Sequence, residues 1–296
     1  MAARAILLTG GTGQVGTEVQ RQTPPGFEVI APTRAELDLA DPEAVAAFVG
    51  SRPWACVINS AAYTAVDKAE SDAVSAWRAN ALAPAALAQA AARSGVPVIH
   101  VSTDYVFAGD KATPYGEDDP VGPVGVYGAS KEGGEQAIRT LSPRHVILRT
   151  AWVVSPHGAN FVKTMLRLAE TRDQLGVVDD QRGCPTSAGD IAATLWTIAR
   201  RLADDPAAPS GTYHFVNSGE ATWCELAREV FAHAAAAGRK VPQVDAIPTS
   251  AYPTPARRPA NSRLDTAKLR RDFGVTPRPW REAIAEVTTA LLAREP

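Results

Sequence analysis

The 296-residue sequence predicts an α/β fold with a doubly wound parallel sheet and a smaller, loop-rich C-terminal lobe. Three observations support this prediction. Short apolar runs alternate with alanine-rich helical stretches through the first half of the chain. A glycine-rich turn, GGTGQVG, separates the first apolar run from the first helical stretch. After Trp152 the spacing becomes irregular, and prolines cluster in the segment IPTSAYPTPARRPANS, which indicates a region of loops.

The predicted strands of the first half are the runs AILLT, FEVIA, ACVINS, VPVIHVST and HVILRTAWV. A long alanine-rich helix is predicted from Ala73 to Arg93, and a later one around Ala234 to Ala237 is predicted to end at Gly238. The change of pattern divides the chain into residues 1–151, the sheet domain, and residues 152–296. The second part is expected to form mainly the smaller lobe, with some elements returning to the sheet.

The first turn has the features of a dinucleotide site. Its glycines follow the pattern Gly10-x-x-Gly13-x-x-Gly16, between a short apolar strand and a helical repeat of Val15 and Val19. Gly10 permits the sharp turn, Gly13 lets backbone N–H groups approach a pyrophosphate, and Gly16 lets the helix pack closely on the strand. Residues 1–151 are therefore predicted to be a Rossmann domain, although a glycine-rich structural turn is the alternative.

Composition excludes several classes of partner. The formal net charge of −2 gives no electrostatic reason to expect nucleic acid, and no apolar run approaches the length that crosses a membrane. Three widely spaced cysteines, Cys56, Cys184 and Cys224, indicate free thiols in a reducing cytoplasm. The five histidines show no metal-ligand spacing, so no structural metal is predicted.

A second informative stretch is VYGASKEGGEQAI, in which Tyr127 and Lys131 are four residues apart and share one face of a helix. A phenol with a pKa near 10 is a poor acid unless its phenolate is stabilised, and a neighbouring ammonium does that. Such a pair also occurs by chance on amphipathic helices. Here the fourth predicted strand ends in Ser102, Thr103 and Asp104, at the sheet edge where open α/β folds bind ligands. Thr103 either caps its own strand or orients a substrate carbonyl, and the combination predicts a hydride-transfer site.

The glycine pattern together with Tyr127-x-x-x-Lys131 resembles the extended short-chain dehydrogenase/reductase family. Within it, six runs resemble the family of dTDP-4-dehydrorhamnose reductases: INSAAYTAVDKAE, STDYVF, YGASK, RTAWV, VVDDQRGCPT and YPTPARRPANSRL. They are spread over nearly the whole chain. The resemblance implies NADPH-dependent reduction of the C4 ketone of dTDP-4-dehydro-L-rhamnose to dTDP-L-rhamnose, the last step of dTDP-rhamnose biosynthesis.

The resemblance also implies roles for residues that match the family's motifs. Tyr127 would protonate the C4 oxygen, Lys131 would lower the tyrosine pKa and bind the nicotinamide ribose, and Thr103 would bind the C4 oxygen. The substrate-contacting set would be Thr103, Asp104, Tyr127 and Trp152, although Trp152 is equally consistent with a core aromatic. The predicted cofactor-binding set is Gly10, Thr12, Gly13, Gln14, Val15, Gly16, Arg34, Asp38, Leu39, Ala61, Ala62, Tyr63, Tyr127 and Lys131.

The second strand carries the signal for cofactor choice. NAD-selective sites place a carboxylate at its end, whereas this chain has Thr33 and Arg34 there. Arg34 favours the 2′-phosphate of NADPH, although a solvated arginine is the alternative, and the nearby Glu36 leads us to expect some use of NADH. The resemblance also leaves open a homodimer with Mg²⁺ at its interface, but the sequence shows no cluster that places such a site.

The basic loop TPARRPANSR could bind the pyrophosphate of a nucleotide sugar through Arg257, Arg258 or Arg263. The flanking prolines reduce the entropy cost of ordering this loop, so at least one of the three is expected to bind. The alternative is an exposed turn with solvated charges.

Two other functions share these motifs. A nucleotide-sugar dehydratase would carry a glutamate after Asp104, where this chain has Tyr105, and an epimerase would retain NAD, which Arg34 does not favour. A regulatory subunit of methionine adenosyltransferase would bind NADP without turnover. The first predicted strand begins within the first few residues of the sequence, which favours the enzyme over that subunit.

Overall fold

The structure is a computed structural model that describes residues 3–293. Within these residues the strands are β1 (Arg4–Thr9), β2 (Phe27–Ile30), β3 (Cys56–Asn59), β4 (Val98–Thr103), β5 (His145–Thr150), β6 (Val153–Val154), β7 (Gln174–Val178), β8 (Arg182–Gly183), β9 (Thr186–Ser187), β10 (Gly211–His214), β11 (Ala221–Thr222) and β12 (Gln243–Ile247). The helices are α1 (Gln14–Arg21), α2 (Pro42–Gly50), α3 (Val66–Ala69), α4 (Ala73–Trp77), α5 (Ala83–Arg93), α6 (Val126–Leu141), α7 (Phe161–Ala169), α8 (Ala188–Asp204), α9 (Trp223–Ala236), α10 (Ala267–Phe273) and α11 (Trp280–Leu292).

The central sheet of the described chain is parallel and six-stranded, in the order β10-β5-β4-β3-β1-β2. It confirms the predicted doubly wound α/β fold, and each of the five predicted apolar runs supplies one strand. Strand order reverses between β1 and β3, so the loops leaving these two strands diverge and open a crevice at the carboxyl edge. Open α/β sheets bind their ligands in such a crevice.

Both faces of the sheet are covered by helices because the strand residues alternate between two apolar layers. On one face Ile6, Leu8 and Ile58 pack with residues of α1 and α8. On the other face Leu7 and Val57 pack with residues of α2, α5 and α6. The strand β10 and the helix α8 come from beyond residue 152, so the C-terminal part of the chain contributes directly to this sheet.

The rest of the C-terminal part has its own apolar core. Residues of α7, α9 and α11 pack around Trp280, with small two-stranded sheets β12-β7, β11-β8 and β6-β9 at its border. The boundary after residue 151 stays a prediction. Among the described helices, none is long and apolar enough to cross a membrane. Cys56, Cys184 and Cys224 are buried free thiols.

Two elements differ from their predictions. The run HVILRTAWV is not one strand: β5 ends at Thr150, and Trp152 has a φ of 48°, which turns the chain so that β6 pairs with β9 instead. Positive φ is uncommon outside glycine, and local sequence gives no sign of it. The predicted helix from Ala73 to Arg93 is interrupted by a π-helical segment, Arg78–Leu82. Such segments widen a helix locally and often occur at functional sites.

Candidate active site

The glycine turn connects β1 to α1, and backbone atoms pack closely against two of its glycines. Gly10 has a φ of +74°, and a Cβ on it would lie 2.6 Å from the backbone nitrogen of Ala61. A Cβ on Gly16 would lie 2.1 Å from the Gly10 carbonyl oxygen, so both glycines are required by the fold itself. Gly13 is different: a Cβ there would meet only the Gly10 carbonyl oxygen, at 3.3 Å. Gly13 therefore leaves open the space in front of the amino end of α1, where backbone N–H groups bind phosphate.

A cavity of about 700 Å³ opens beside this turn, across the carboxyl ends of β1, β2 and β3. Eight residues of the predicted cofactor-binding set line it: Gly10, Thr12, Arg34, Asp38, Leu39, Ala61, Ala62 and Tyr63. Its volume falls in the range of small-molecule sites, and its walls combine apolar surface with a few polar groups. The cavity and the open space in front of the amino end of α1 fit the adenosine and phosphate part of a dinucleotide.

Two other predicted residues of the turn have their side chains engaged elsewhere. The Gln14 side-chain oxygen accepts hydrogen bonds from the Ser155 hydroxyl and the Asn160 amide, each at 2.9 Å. Val15 packs against the core between the sheet and α8. The Gln14 side-chain oxygen and the Val15 side chain are thus engaged within the protein, and the cofactor contact of these two residues stays a prediction.

The Ala61–Tyr63 segment is also held within the protein. The Ser60 hydroxyl donates to the Thr9 carbonyl oxygen at 2.7 Å, and the Tyr63 hydroxyl donates to Asp72 at 3.3 Å. The backbone N–H of Tyr63 donates to the buried Asn80 side chain at 2.8 Å. The segment thus presents a rigid wall to the cavity.

The outer end of the cavity carries the charges that bear on cofactor choice. The Arg34 side chain is 88% exposed, and its Nε lies 4.0 Å from the Asp38 carboxylate. The Glu36 carboxylate accepts hydrogen bonds from the Thr33 backbone N–H and hydroxyl, which hold the pKa of Glu36 below its ordinary value. Glu36 is therefore anionic at neutral pH, and the exposed Arg34 side chain lines the same cavity.

The predicted catalytic residues meet where β4 ends against α6. The Thr103 hydroxyl donates to Asp104 at 2.9 Å and accepts from the backbone N–H of Tyr105 at 3.3 Å. Burial raises the pKa of Asp104 to about 6, although its hydrogen bonds oppose the shift. The Tyr105 ring packs edge-on against the Tyr127 ring, with centroids 5.5 Å apart. Burial raises the pKa of Tyr127 to about 12, and its hydrogen bond with Thr103 only partly offsets this rise.

Lys131 is buried and bonded to β4 instead of to Tyr127. Its Nζ donates to the Val101 carbonyl oxygen at 2.7 Å and lies 3.4 Å from His100 Nε2. Burial lowers the pKa of Lys131 to about 8, although the nearby Glu135 carboxylate opposes the shift. In this arrangement burial raises the pKa of Tyr127 and lowers that of Lys131, and the expectation that Lys131 lowers the tyrosine pKa stays a prediction.

A buried ion pair next to Lys131 was not predicted from the sequence. The Arg149 guanidinium binds the Glu135 carboxylate through two hydrogen bonds of 2.8 and 2.7 Å. Arg139 also pairs with Glu135, and the Arg149 guanidinium lies over the Phe107 ring, 4.8 Å from its centroid. Helical spacing would have aligned Glu135 with Lys131, but nothing local indicates that β5 brings an arginine to it.

Trp152 lies at the turn after β5 with its ring stacked on Trp223, the centroids 3.6 Å apart. A Cβ on Gly183 would lie 2.3 Å from the Trp152 ring, so glycine is needed to accommodate it. The ring is only partly buried. It is therefore a packing residue with part of its surface exposed, and its substrate contact stays a prediction.

The three arginines of the basic loop have different surroundings. Arg258 forms a two-fold pair with Asp67, at 3.0 and 2.8 Å, which holds the pKa of Asp67 below its ordinary value. Arg263 pairs with Glu220 at 2.6 Å and donates to Asn261 at 2.8 Å. Arg257 is exposed. The expectation that one of them binds pyrophosphate remains open.

Within residues 3–293, no group of three or more His, Cys, Asp or Glu side chains is arranged to hold a metal ion. The structure therefore does not support the Mg²⁺ site that the resemblance left open.

Comparisons with known proteins identify the family of the chain and agree with its fold. The family described as "RmlD substrate binding domain" matches residues 4–293. A curated dTDP-4-dehydrorhamnose reductase of Sinorhizobium fredii is 47% identical, and the alignment covers 97% of each chain. The crystal structure of a dTDP-4-dehydrorhamnose reductase from Clostridium acetobutylicum superposes with a TM-score of 0.91 at 38% identity, covering 97% of this chain and 99% of that one. The corresponding enzyme of Bacillus anthracis, solved in complex with NADP, superposes with a TM-score of 0.90 at 31% identity over the same shares.

Proposed function

The chain belongs to the RmlD family, and from this membership we propose that it reduces the C4 ketone of dTDP-4-dehydro-β-L-rhamnose to dTDP-L-rhamnose with NADPH. Membership makes it an NADP-dependent oxidoreductase, since its curated relatives are named as reductases and one related structure contains NADP. The sugar nucleotide, the residue roles, the homodimer and the cytoplasmic location are parts of the proposal.

One observation supports the reaction most strongly. The cofactor cavity and the Thr103–Tyr127 pair lie at the same carboxyl edge of one sheet, the cavity at β1 to β3 and the pair at β4 and α6. A nucleotide extended from the cavity along this edge would bring its reactive ring to the pair. This arrangement fits hydride transfer to a carbonyl that is held by a hydroxyl and protonated by a phenol.

Each residue would have a separate role in the reduction. When bound, the nicotinamide supplies the hydride. Tyr127 gives its hydroxyl proton to the C4 oxygen, so the ketone gains one hydride and one proton and becomes an alcohol. Thr103 would turn its hydroxyl proton from Asp104 to the same oxygen and orient it. Lys131 stabilises the phenolate that remains, and burial of both groups strengthens that interaction.

The competing functions differ in what they require at this edge. A dehydratase needs a further carboxylic acid after Asp104, and the structure has the aromatic ring of Tyr105 there, packed on Tyr127. A regulatory subunit would bind NADP in the cavity but would not need to convert a substrate. The test is NADPH oxidation by the purified protein with dTDP-4-dehydro-L-rhamnose generated in situ. Rapid oxidation supports the reductase, whereas NADPH binding with no oxidation would contradict it and favour the regulatory subunit.

Cofactor preference gives a separate prediction. Replacing Arg34 by Ala should weaken NADPH binding by roughly tenfold and leave NADH binding nearly unchanged, because a charge-assisted hydrogen bond contributes about 1.5–3 kcal/mol and exposure reduces it. The dissociation constants of both cofactors would be measured by fluorescence titration. The control is Arg200→Ala, an exposed arginine on α8 away from the cavity. Equal weakening of both cofactors by Arg34→Ala would show that the arginine does not contact the 2′-phosphate.

A further inference from the structure

The segment from Ser155 to Asn160 contacts α1 at the end where the cofactor phosphates would bind. The Asn160 amide donates to Gln14 Oε1 at 2.9 Å, and the Ser155 hydroxyl lies 2.9 Å from the same oxygen. One turn further along α1, His157 Nε2 lies 2.8 Å from the Glu18 carboxylate. The segment therefore contacts α1 at two successive turns, and the first of these contacts is to the first residue of the helix.

A backbone group fixes the direction of the Asn160 amide. The N–H of Lys163 donates to the Asn160 side chain at 3.1 Å, and a backbone N–H cannot accept, so the atom that it meets is the oxygen. The two protons of the NH₂ group are left for the Ser155 carbonyl oxygen, at 2.7 Å, and for Gln14. Asn160 thus has two separate roles: its oxygen caps α7, and its NH₂ group holds the side chain of Gln14.

The start of α1 is the part of the cofactor site that this bond restrains. Its N-cap is Gly13, and no side chain caps the helix at this end. The first backbone N–H groups of α1 are therefore the groups expected to bind the pyrophosphate. Gln14 carries one of them. The segment also packs closely on its side chain, since a Cβ on Gly158 would lie 3.3 Å from Gln14 Cγ.

The other contacts of the segment do not replace this bond. The Ser155 hydroxyl has a single proton, and it lies 2.9 Å from the His157 carbonyl oxygen as well as from Gln14. Its bond to Gln14 is therefore shared with one inside the segment. The contact between His157 and Glu18 is one turn further from the phosphate end of the helix. Asn160 is thus the residue of the segment whose donor is committed to Gln14.

The same segment is connected at both ends to a stack of aromatic rings. It begins three residues after Trp152, the predicted substrate contact, directly after β6. It ends beside Phe161, whose ring centroid lies 4.8 Å from that of Trp223, and Trp223 stacks on Trp152 at 3.6 Å. The bond from Asn160 to Gln14 therefore lies between the glycine turn and this aromatic stack.

We propose that Asn160 is a positioning residue for the reaction proposed above, on which this inference rests. Its NH₂ group holds Gln14, and with it the start of α1, at a fixed position relative to the segment that follows Trp152. In that reaction the cofactor phosphates bind at the start of α1 and the sugar lies beside Trp152. The bond therefore helps to set the distance over which the hydride moves, and hydride transfer depends on accurate placement of the two ligands.

The link between Asn160 and Gln14 is tested by cofactor binding alone, without turnover. Asn160→Ser keeps a good N-cap for α7 but has no amide donor, and Gln14→Met removes the acceptor at similar length. Each should weaken NADP⁺ binding by roughly 2- to 10-fold, the effect of one neutral hydrogen bond. The double variant should bind no more weakly than either single one, because both changes remove the same bond. Losses that add in the double variant, or an unchanged NADP⁺ affinity in Asn160→Ser, would overturn the proposal whether or not the protein reduces the sugar nucleotide.

The positioning role is tested by the kinetics of the same variants. At saturating NADPH and sugar nucleotide, Asn160→Ser should lower kcat by roughly tenfold, because saturation restores occupancy but not the distance between the ligands. Asn160→Asp, which also caps α7 and also lacks the donor, should show the same loss. The matched control is Gln243→Met, an exposed glutamine on β12 bonded to Asp245, where no change is expected. A raised KM with a wild-type kcat in a folded Asn160 variant would show that Asn160 only supports cofactor binding, and would refute the positioning role.

Discussion

Replacing Tyr127 by Phe is expected to lower kcat by roughly 10²- to 10⁴-fold, the usual contribution of a positioned general acid, with NADPH affinity nearly unchanged. The change removes one hydroxyl and keeps the ring, which packs against Tyr105. Without that hydroxyl the C4 oxygen has no proton donor at the start of α6, and Thr103 alone can only orient it. Steady-state NADPH oxidation and a fluorescence titration of NADPH binding would measure the two quantities separately.

Tyr105→Phe is the matched control for this variant. Tyr105 is the neighbouring tyrosine, it is partly buried, and its ring is in contact with that of Tyr127. If Tyr127 is the acid, losing the Tyr105 hydroxyl should have a much smaller effect on kcat. Equal losses in the two variants, or a parallel loss of NADPH binding and turnover in Tyr127→Phe, would show that the substitution disturbs the site as a whole.

Replacing Gly13 by Val is expected to weaken NADPH binding by roughly 5- to 150-fold with little change in thermal stability. The protein itself leaves space at this position, since a Cβ meets only the Gly10 carbonyl oxygen, at 3.3 Å. The valine side chain therefore becomes crowded mainly when a pyrophosphate lies in front of the amino end of α1. Overpacking of such a contact costs about 1–3 kcal/mol, which corresponds to that range of dissociation constants. Cofactor titration and thermal unfolding would be measured on the same preparation.

Gly16→Ala provides the contrast, because there the Cβ would lie 2.1 Å from the Gly10 carbonyl oxygen with or without cofactor. This variant should lose stability as well as cofactor binding. A Gly13→Val protein with unchanged NADPH affinity would rule out the assignment of this turn to the phosphates, and one as unstable as Gly16→Ala would show that Gly13 is also required by packing.

The sequence was sufficient for the features that depend on neighbouring residues. The strand, glycine turn and helix from Arg4 to Arg21 follow from apolar runs and glycine spacing, which act within a few residues. The five strands of the first half were predicted for the same reason. The shared face of Tyr127 and Lys131 follows from helical spacing alone, and the structure has both on α6.

The tertiary structure decided what those residues meet. No local pattern indicates that β10 completes the sheet, that Trp152 takes a positive φ, or that Arg149 pairs with Glu135. The surroundings of Lys131 were decided in the same way: its Nζ lies 3.4 Å from His100 Nε2 because α6 packs against β4, although the two residues are far apart in the chain. Burial then shifts proton affinities in that layer, because desolvation depends on every element packed around a group and not on its own segment. The sequence by itself therefore determined which chemical groups the site contains, and only the fold decided which groups surround them and how far their proton affinities shift.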